Sequence, residues 1–269
     1  MTDLLFLDGR ELTHGPSAPR QFAASITGPG AGRALVTFDG TDHERNLELG
    51  LSLLSSLGPI LAVYPGDGCW SELSVREDAD PGRTHGVGEN RLHLDLVDRA
   101  GLPHYIALYC ERDDPLGGGA SALADLWLAA DMLTEEDREL LSRPVFSYFA
   151  DKDVHGVGTS LETFAVIPHQ LGNAPVRFTA KMLPHLQRGE LITNDDHEPV
   201  ATAFDRLVRA AYAARTTCRL RPGQMLVFDQ YRYAHGRMPL GEGQSSIPLG
   251  ERRLLKQTYV GAPVLGSAL

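Results

Sequence analysis

The chain has 269 residues, of which 42% are hydrophobic and 22% are charged, a composition that excludes long disordered regions and allows a sizeable core. Its formal net charge of −10 at pH 7 argues against nucleic acid or an anionic membrane as a partner, because phosphate groups are bound by basic surfaces. The sequence has no apolar run of spanning length, no signal-peptide layout at its start, and three widely spaced cysteines without a CxxC pair. We therefore predict a soluble, cytoplasmic protein with neither a disulfide framework nor a thiolate zinc site.

Three segments have the spacing of helices. Residues 45–57 carry leucines on one broad face and end at a Gly-Pro pair, and residues 121–132 are rich in alanine and leucine. Residues 199–215 place apolar side chains on one side and charges on the other. Thr134 and Asp137 resemble a capping box and predict a further short helix directly after the second segment.

Short extended runs lie between these helices and predict a mostly β protein with flanking helices. Many short strands separated by turns favour a sandwich or barrel over a parallel doubly wound sheet. The sequence has neither a G-x-G-x-x-G pattern after a strand nor a P-loop, so nucleotide binding has no support. Without internal repeats or low-complexity linkers, residues 1–269 are predicted to form a single domain. The extended runs are residues 34–38, 91–97, 105–109, 164–167, 176–179, 225–228 and 253–260.

The run RLHLDLV carries the first candidate for chemistry. Side chains alternate along a strand, so its three leucines share one face while His93 and Asp95 project together from the other. An imidazole and a carboxylate placed in this way can bind the same metal ion. Ten histidines in a chain with 35 acidic residues give roughly one such pair by chance, so a hydrogen-bonded pair without a metal is the alternative.

Two later segments supply further candidates. His235 follows a Pro-Gly turn, an apolar strand and a polar corner, and it is the candidate third ligand that the first pair requires. Two histidines and one carboxylate form the facial triad of non-haem Fe(II) oxygenases. In RRLLKQTYV, alternation places Arg253, Gln257 and Tyr259 on one face, where an arginine suits a carboxylate anion. The alternative for His235 is an ordinary loop histidine, and the alternative for Arg253 is an arginine pair on the surface.

Five blocks in order resemble the Fe(II)/2-oxoglutarate-dependent dioxygenases of the taurine dioxygenase and clavaminate synthase-like superfamily. The resemblance runs from about residue 76 to residue 260, and the residues before it match only loosely. The blocks are the HLD pair described above, the strand PHYIALYCER, the corner GGGAS, the segment RPGQMLVFDQYRYAHGR and the final strand RRLLKQTYV.

The resemblance implies a distorted double-stranded β-helix, a cupin-like jelly roll, with helices along one side. It implies Fe(II), the cosubstrate 2-oxoglutarate and O2, with His93, Asp95 and His235 as the catalytic iron ligands. Arg253 is then expected to bind the distal carboxylate of 2-oxoglutarate, and Ser121 to supply a hydroxyl to the same carboxylate.

Several positions depart from the family pattern. A slightly expanded loop before the last strand leaves open whether Arg252 or Arg253 faces the cosubstrate. Gln230 replaces the usual asparagine, and Gln257 stands where a second arginine is often found, which argues against a sulfonate substrate. Residues that flank the ligands are candidates either for the pocket wall or for structural roles: Asn90, Asp98, Tyr231 and Arg237.

The activity implied by the resemblance is hydroxylation of an unactivated C–H bond of a small molecule, an amino acid or a natural-product biosynthetic intermediate, with release of succinate and CO2. The first alternative is desaturation, epoxidation or oxidative cyclisation at the same iron site, and the second is a non-catalytic jelly-roll binding protein. Halogenation is disfavoured, because a halide would need the coordination position that Asp95 takes. The acidic excess favours a neutral or cationic substrate, and the oligomeric state is not predicted.

Overall fold

A computed structural model describes residues 4–9, 12, 17–28, 32–38, 42–66, 68–76, 79–148, 154–172, 174–193 and 197–262. Within them two sheets face each other, and helices cover the outer side of each sheet. The strands are β1 (Leu5–Asp8), β2 (Arg33–Thr37), β3 (Ile60–Leu61), β4 (Ser71–Ser74), β5 (Asn90–His93), β6 (Tyr105–Arg112), β7 (Ser121–Asp125), β8 (Arg215–Cys218), β9 (Gln224–Asp229), β10 (Tyr233–Arg237) and β11 (Leu254–Val260). The α-helices are α1 (Ala18–Thr27), α2 (His43–Leu54), α3 (Leu126–Asp131), α4 (Glu135–Leu141), α5 (Leu183–Leu186) and α6 (His197–Ala213).

The two sheets exchange strands along the chain. The larger sheet has the order β1-β2-β9-β6-β11-β3, with β4 also paired to β11, and the smaller sheet has the order β5-β10-β7-β8. Strands β1 and β2 run parallel, whereas the other strand pairs of the described residues are antiparallel. The sheets are not closed into a barrel. The chain therefore crosses repeatedly between two facing sheets, as in a jelly roll.

The central strand β6 shows how the layers are built. Ile106 and Leu108 point into the core between the two sheets, while Tyr105 and Ala107 point into the core beneath α1 and α2. A strand buried on both faces is a nearly continuous apolar run, which explains the sequence YIALYC. A third core lies between the smaller sheet and α6, which packs against α3, α4 and α5.

The predicted fold class, a mostly β jelly roll with flanking helices, is confirmed. Strands β2, β6, β9 and β11 occupy four of the predicted runs. Helices α2 and α6 each begin two residues before the predicted start. The capping prediction for α4 is confirmed, since Thr134 Oγ1 accepts a hydrogen bond from the Asp137 amide at 3.1 Å.

The predicted helix over residues 121–132 is wrong in its first half. Residues 121–125 form β7, and α3 begins only at Leu126, where Asp125 Oδ1 accepts hydrogen bonds from the next two free amides. Ala122 and Ala124 are buried toward α6, whose close packing on the sheet favours small side chains. Pairing with β8 and β10 overrides the helix propensity of alanine.

Residues 164–167 and 176–179 are not strands, contrary to the prediction. Phe164 takes part in an isolated bridge with Phe146, and Thr179 in another with His93. The apolar side chains of both runs are buried in the core beside α6. Burial of an irregular segment produces the same apolar run as a buried strand, so periodicity alone cannot separate them.

Helices α1 and α5 and the strands β1, β3, β4, β8 and β10 were not predicted from the sequence. Each of these strands has five residues or fewer, too few for alternation to be recognised. Strand β8 begins at Arg215, which the prediction had placed at the end of the preceding helix.

Candidate active site

His93, Asp95 and His235 come together at one end of the space between the sheets. Candidate ligand atoms of the three side chains all lie within 4.8 Å of one another. His93 Nε2 is 3.4 Å from Asp95 Oδ1, and His235 Nε2 is 3.5 Å from Asp95 Oδ2. Three ligands about 2.1 Å from one ion at right angles are about 3 Å apart, so these separations suit one metal ion.

The two histidines are neighbours because β5 and β10 pair. His235 lies opposite His93 in this antiparallel pair, and their ring centroids are 4.4 Å apart. The register then shifts by one residue before Arg237 pairs with Asn90. Gly236 sits at this shift, where an added Cβ would lie 2.6 Å from Asn90 O. Glycine therefore allows the two ligand-bearing strands to approach closely.

Asp95 is not on the strand, so the alternation argument used to predict its position is wrong. Strand β5 ends at His93, and Asp95 follows in a turn in which Leu96 has a positive φ of 60°. Gln230 holds this turn, because its Oε1 accepts a hydrogen bond from the Asp95 amide at 2.7 Å and its Nε2 donates to Pro103 O at 3.0 Å. The turn nevertheless brings the carboxylate beside both histidines.

Two side chains of β11 donate hydrogen bonds to the Asp95 carboxylate. Gln257 Nε2 lies 2.8 Å from Asp95 Oδ2, and Tyr259 Oη lies 3.0 Å from the same oxygen. Burial, together with the charge of Asp95, raises the pKa of the Tyr259 phenol well above its ordinary value, so the phenol stays protonated as a donor. The predicted common face of Gln257 and Tyr259 therefore meets the metal-binding cluster.

Protonation of the histidines also suits a metal ion. His93 Nδ1 donates a hydrogen bond to Arg91 O at 2.7 Å, so Nε2 is the ring nitrogen that can bind a cation. Burial, followed by the nearby His93, lowers the pKa of His235 to about 3, so this imidazole is neutral at pH 7. Two imidazoles and one carboxylate form a donor set that fits Fe(II).

Arg253 and Ser121 line a narrow cavity that adjoins the cluster. The same cavity is lined by Arg237, His235 and Asp95, with Leu108 and Leu255 supplying apolar walls. Within the described residues, neither Arg237 nor Arg253 forms an ion pair with a carboxylate. Burial lowers the pKa of each guanidinium to about 10, and for Arg253 the charge of Arg237 adds to this effect, so both remain charged at pH 7. Two buried cations beside an apolar wall form a site for an anion.

Of the two adjacent arginines, Arg253 and not Arg252 lines the narrow cavity. Arg252 turns away from the narrow cavity and donates a hydrogen bond from Nε to Ile247 O at 2.8 Å. Arg253 lines the cavity, and Gly119, with a φ of +69°, passes so close that an added Cβ would lie 3.0 Å from Arg253 Cδ. The glycine corner before β7 therefore makes room for this arginine.

Asp114 ties together the two loops beside the arginines. Its Oδ2 accepts hydrogen bonds from the amides of Gly118 at 2.9 Å and Gly241 at 2.7 Å. Its Oδ1 accepts from the Leu116 amide at 3.1 Å and from Gln244 Nε2 at 2.8 Å. Burial raises the pKa of this carboxyl, but the four donors outweigh burial and hold the pKa below its ordinary value. Asp114 was not singled out in the sequence.

Comparison with known proteins decides the family. The model of the family described as "Taurine catabolism dioxygenase TauD, TfdA family" matches residues 31–259. The chain belongs to this family. The predicted resemblance is thereby confirmed, and the match begins well before residue 76, where the sequence resemblance was first recognised.

Individual proteins are also similar to the chain. The chain is 27% identical over 152 residues to an L-lysine 3-hydroxylase of Catenulispora acidiphila, a match that covers 55% of this chain and 40% of that protein. A structure of asparagine oxygenase with Fe(II), 2S,3S-3-hydroxyasparagine and succinate matches with a TM-score of 0.73 at 17% identity, over 95% of this chain and 84% of that one. The non-heme iron oxygenase OrfP with Fe and alpha-ketoglutaric acid matches with a TM-score of 0.71 at 15% identity, over 94% and 83%. At these identities the two structures establish the fold.

A wide cavity of about 880 Å³ adjoins the cluster and is lined by neither Arg237 nor Arg253. His93, Asp95, Gln257 and Tyr259 form its inner end. Its outer walls carry aromatic and charged side chains of both signs: Tyr64, Trp70, Glu72, Asp80, Arg83, His85, Tyr148 and Lys181. The wide cavity has room for a small organic molecule, and it shares His93, Asp95 and Gln257 with the narrow cavity.

The four flanking candidates divide into two groups. Asn90 and Arg237 line the narrow cavity. Asp98 is fully buried outside both cavities, and Tyr231 stacks on His104 at a centroid distance of 4.3 Å. Sequence reasoning missed Lys181, whose Nζ donates to Asn90 Oδ1 at 3.0 Å, because it lies in a short 3-10 helix (Ala180–Met182) without a motif.

Within the described part of the chain, no helix combines the length and apolar composition needed to cross a bilayer.

Proposed function

We propose that this chain is an Fe(II)- and 2-oxoglutarate-dependent oxygenase that hydroxylates an unactivated C–H bond of an amino acid or a related natural-product intermediate, with release of succinate and CO2. The observation that carries this proposal is the junction of the His93, Asp95 and His235 cluster with a cavity that holds two buried arginines. Family membership supports the reaction class. The L-lysine 3-hydroxylase and the asparagine oxygenase support an amino-acid substrate.

His93, Asp95 and His235 would hold the iron, each through one atom of its side chain. Bound iron supplies the oxidising chemistry with O2 and 2-oxoglutarate, whereas the protein binds and orients the reactants. The hydrogen bond from His93 Nδ1 to Arg91 O fixes the tautomer that leaves Nε2 able to coordinate. The Asp95 carboxylate also keeps the position that a halide would need, so halogenation stays disfavoured.

Arg253 and Ser121 would bind the distal carboxylate of 2-oxoglutarate. A guanidinium matches a carboxylate with two parallel hydrogen bonds, and the hydroxyl can donate a third. Arg237 adds a second positive charge to the same cavity. Leu108 and Leu255 keep water from the chain of the cosubstrate and so strengthen the ionic contact.

The wide cavity would bind the substrate against the cluster. Its walls carry both signs of charge, as a zwitterionic amino acid requires: Glu72 and Asp80 are the candidate partners of an amine and Lys181 of a carboxylate. Desaturation, epoxidation or oxidative cyclisation of such a substrate remains the alternative outcome. These outcomes differ in product mass, because hydroxylation adds one oxygen and desaturation removes two hydrogens.

The test is anaerobic titration of the protein with Fe(II) and 2-oxoglutarate, followed by an aerobic screen of amino acids for succinate release and product mass. We expect a visible charge-transfer band that needs both additions, disappears in His93→Ala and weakens in Arg253→Ala. The matched control is Arg83→Ala, an arginine of the wide cavity, which should keep the band. A folded protein that shows no band would contradict the proposal and favour a non-catalytic jelly-roll binding protein.

Three further predictions accompany this proposal. We propose a cytoplasmic location, which agrees with three unpaired cysteines. We propose that residues 1–269 act as a single domain, supported by one family match over residues 31–259. A small molecule is the proposed partner, with neither nucleic acid nor membrane, as the net charge of −10 indicates.

A further inference from the structure

We infer that Gln257 and Tyr259 are positioning residues that orient the Asp95 carboxylate for the metal ion. The inference rests on the proposed function, because it concerns the iron that the cluster would hold. Neither residue belongs to the cluster, and each acts through a hydrogen bond to Asp95 Oδ2, at 2.8 Å from Gln257 and 3.0 Å from Tyr259.

The carboxylate and its two donors lie on elements of very different rigidity. Asp95 lies in a turn just beyond the end of β5. Gln257 and Tyr259 lie on β11, which pairs with β6 along its full length and with the short strands β3 and β4 on its other side. A side chain on a turn is oriented precisely only when groups on rigid elements hold it. The strand therefore supplies the orientation that the turn lacks.

Both donors are directed at the same oxygen. A carboxylate oxygen has two lone-pair sites, so the amide and the phenol together satisfy Oδ2 and fix the plane of the carboxylate. In that plane Oδ1 lies 3.4 Å from His93 Nε2. Gln257 and Tyr259 are 5% and 2% exposed, so water does not compete effectively for the two bonds.

The backbone of Asp95 is held separately from its carboxylate. Gln230 Oε1 accepts the hydrogen bond of the Asp95 amide at 2.7 Å, so the turn keeps its place when a donor to the carboxylate is removed. Loss of Gln257 or Tyr259 should therefore release the rotation of the carboxylate without unfolding the turn. This separation makes the inference testable by side-chain substitution.

The experiment measures Fe(II) and Co(II) binding to the full chain without oxygen, for Gln257→Met, Tyr259→Phe and the double variant. Fe(II) affinity is measured by competition with a chromophoric chelator, and the Co(II) site by its visible absorption. We expect each single substitution to weaken Fe(II) binding about tenfold, since outer partners of metal ligands contribute about 10-fold to 100-fold in affinity. We also expect an altered Co(II) spectrum, because a reoriented carboxylate changes the ligand field.

Two control variants separate positioning from general stability. Tyr109→Phe removes a buried phenol that is hydrogen-bonded to Asn46 and His43 on the other face of the larger sheet. Gln224→Met removes an amide that contacts Thr37 on β2. Both controls should bind Fe(II) and Co(II) as the wild type does, even where the melting temperature falls.

The outcomes distinguish this inference from the proposed function. Wild-type metal affinity and an unchanged Co(II) spectrum in the double variant would overturn the inference while the proposed function stands. A wild-type chain that binds neither ion would overturn both. Should Gln257→Met fail to fold, Tyr259→Phe, which keeps the aromatic ring, carries the test by itself.

Discussion

The narrow and the wide cavity meet at His93 and Asp95 but are built in opposite ways. In the narrow cavity the charged groups, Arg237 and Arg253, are buried and form no ion pair within the described residues. In the wide cavity the charged groups are more exposed and pair with one another, as Lys256 does with Glu72 and Arg83 with Asp80. The narrow cavity is thus a preformed site for one anion, whereas the wide cavity offers a mixed surface.

This difference explains why the cosubstrate can be inferred from the chain and the exact substrate cannot. Burying an unpaired guanidinium is unfavourable unless an anion arrives, so the narrow cavity has a strict chemical requirement. Exposed and mutually paired charges contribute little selectivity by themselves. The wide cavity therefore admits several amino acids on the basis of charge alone.

The largest effect should follow from Arg253→Met. We expect 2-oxoglutarate binding to fall at least about 100-fold, because a buried carboxylate would lose its charged partner. Without metal and ligand, the variant should be more stable than the wild type, with a free energy of unfolding about 1 kcal/mol higher, because a buried unpaired charge is removed. Ligand-induced shifts of the melting temperature measure the first effect, and urea unfolding measures the second.

Arg83→Met is the matched control for this prediction, since it removes an exposed arginine from the wide cavity. It should leave the affinity for 2-oxoglutarate within twofold of the wild type. Equal losses in Arg83→Met and Arg253→Met would contradict the contrast between the two cavities.

The next largest effect should follow from Asp114→Asn. An amide in place of the carboxylate turns an NH2 group toward backbone N–H donors, so we expect about 2–3 kcal/mol less free energy of unfolding. The loops that hold Gly118 and Gly241 beside Arg253 should loosen, and the affinity for 2-oxoglutarate should fall about tenfold. Asp113→Asn alters an exposed ion pair with Arg219 and should change the unfolding free energy by less than about 1 kcal/mol.

A graded loss of stability should appear as the pH falls. Burial, followed by His93, lowers the pKa of His235 from 6.5 to about 3, so the unfolded chain takes up a proton that the folded chain excludes in this range. The free energy of unfolding is therefore unaffected by this group above pH 6.5. It falls between pH 6.5 and pH 3, by up to about 1.4 kcal/mol per pH unit. Urea unfolding of the metal-free protein across this range should show a flatter profile for His235→Leu. The exposed His169→Leu should keep the wild-type slope.

The smallest effect should come from Glu72→Gln in the wide cavity. Its carboxylate is largely exposed, and Lys256 also lies near Glu111, so the unfolding free energy should change by less than about 1 kcal/mol. The affinity for 2-oxoglutarate should stay unchanged, while KM for a cationic amino acid should rise. A change in 2-oxoglutarate affinity would show that the two cavities are not independent.

The sequence predicted the structure best where the local apolar pattern of a segment agrees with the burial that its strand has in the sheet. The apolar runs of the larger sheet predicted β6, β9 and β11, because these strands are buried over most of their length. Alternation likewise placed Gln257 and Tyr259 on one face. It failed at Asp95, which lies in a turn with a positive φ at Leu96, although the three side chains still meet.

What could not be predicted depends on tertiary contacts. The alanines of β7 form a strand because β8 and β10 lie on either side and α6 packs close to them, none of which local propensity records. Asp114 has the sequence surroundings of an ordinary loop acidic residue. Its role arises from donors near residues 241 and 244, more than 120 positions later in the chain.

Gly236 sets a limit on how this site can be redesigned. Because even a methyl group there would lie 2.6 Å from Asn90 O, a larger residue forces β5 and β10 apart. The separation of His93 and His235 would widen with it, so the span between the two imidazoles is fixed by the absence of one side chain. Laboratory evolution toward new substrates can therefore substitute residues in the walls of the wide cavity, but it must keep glycine at position 236.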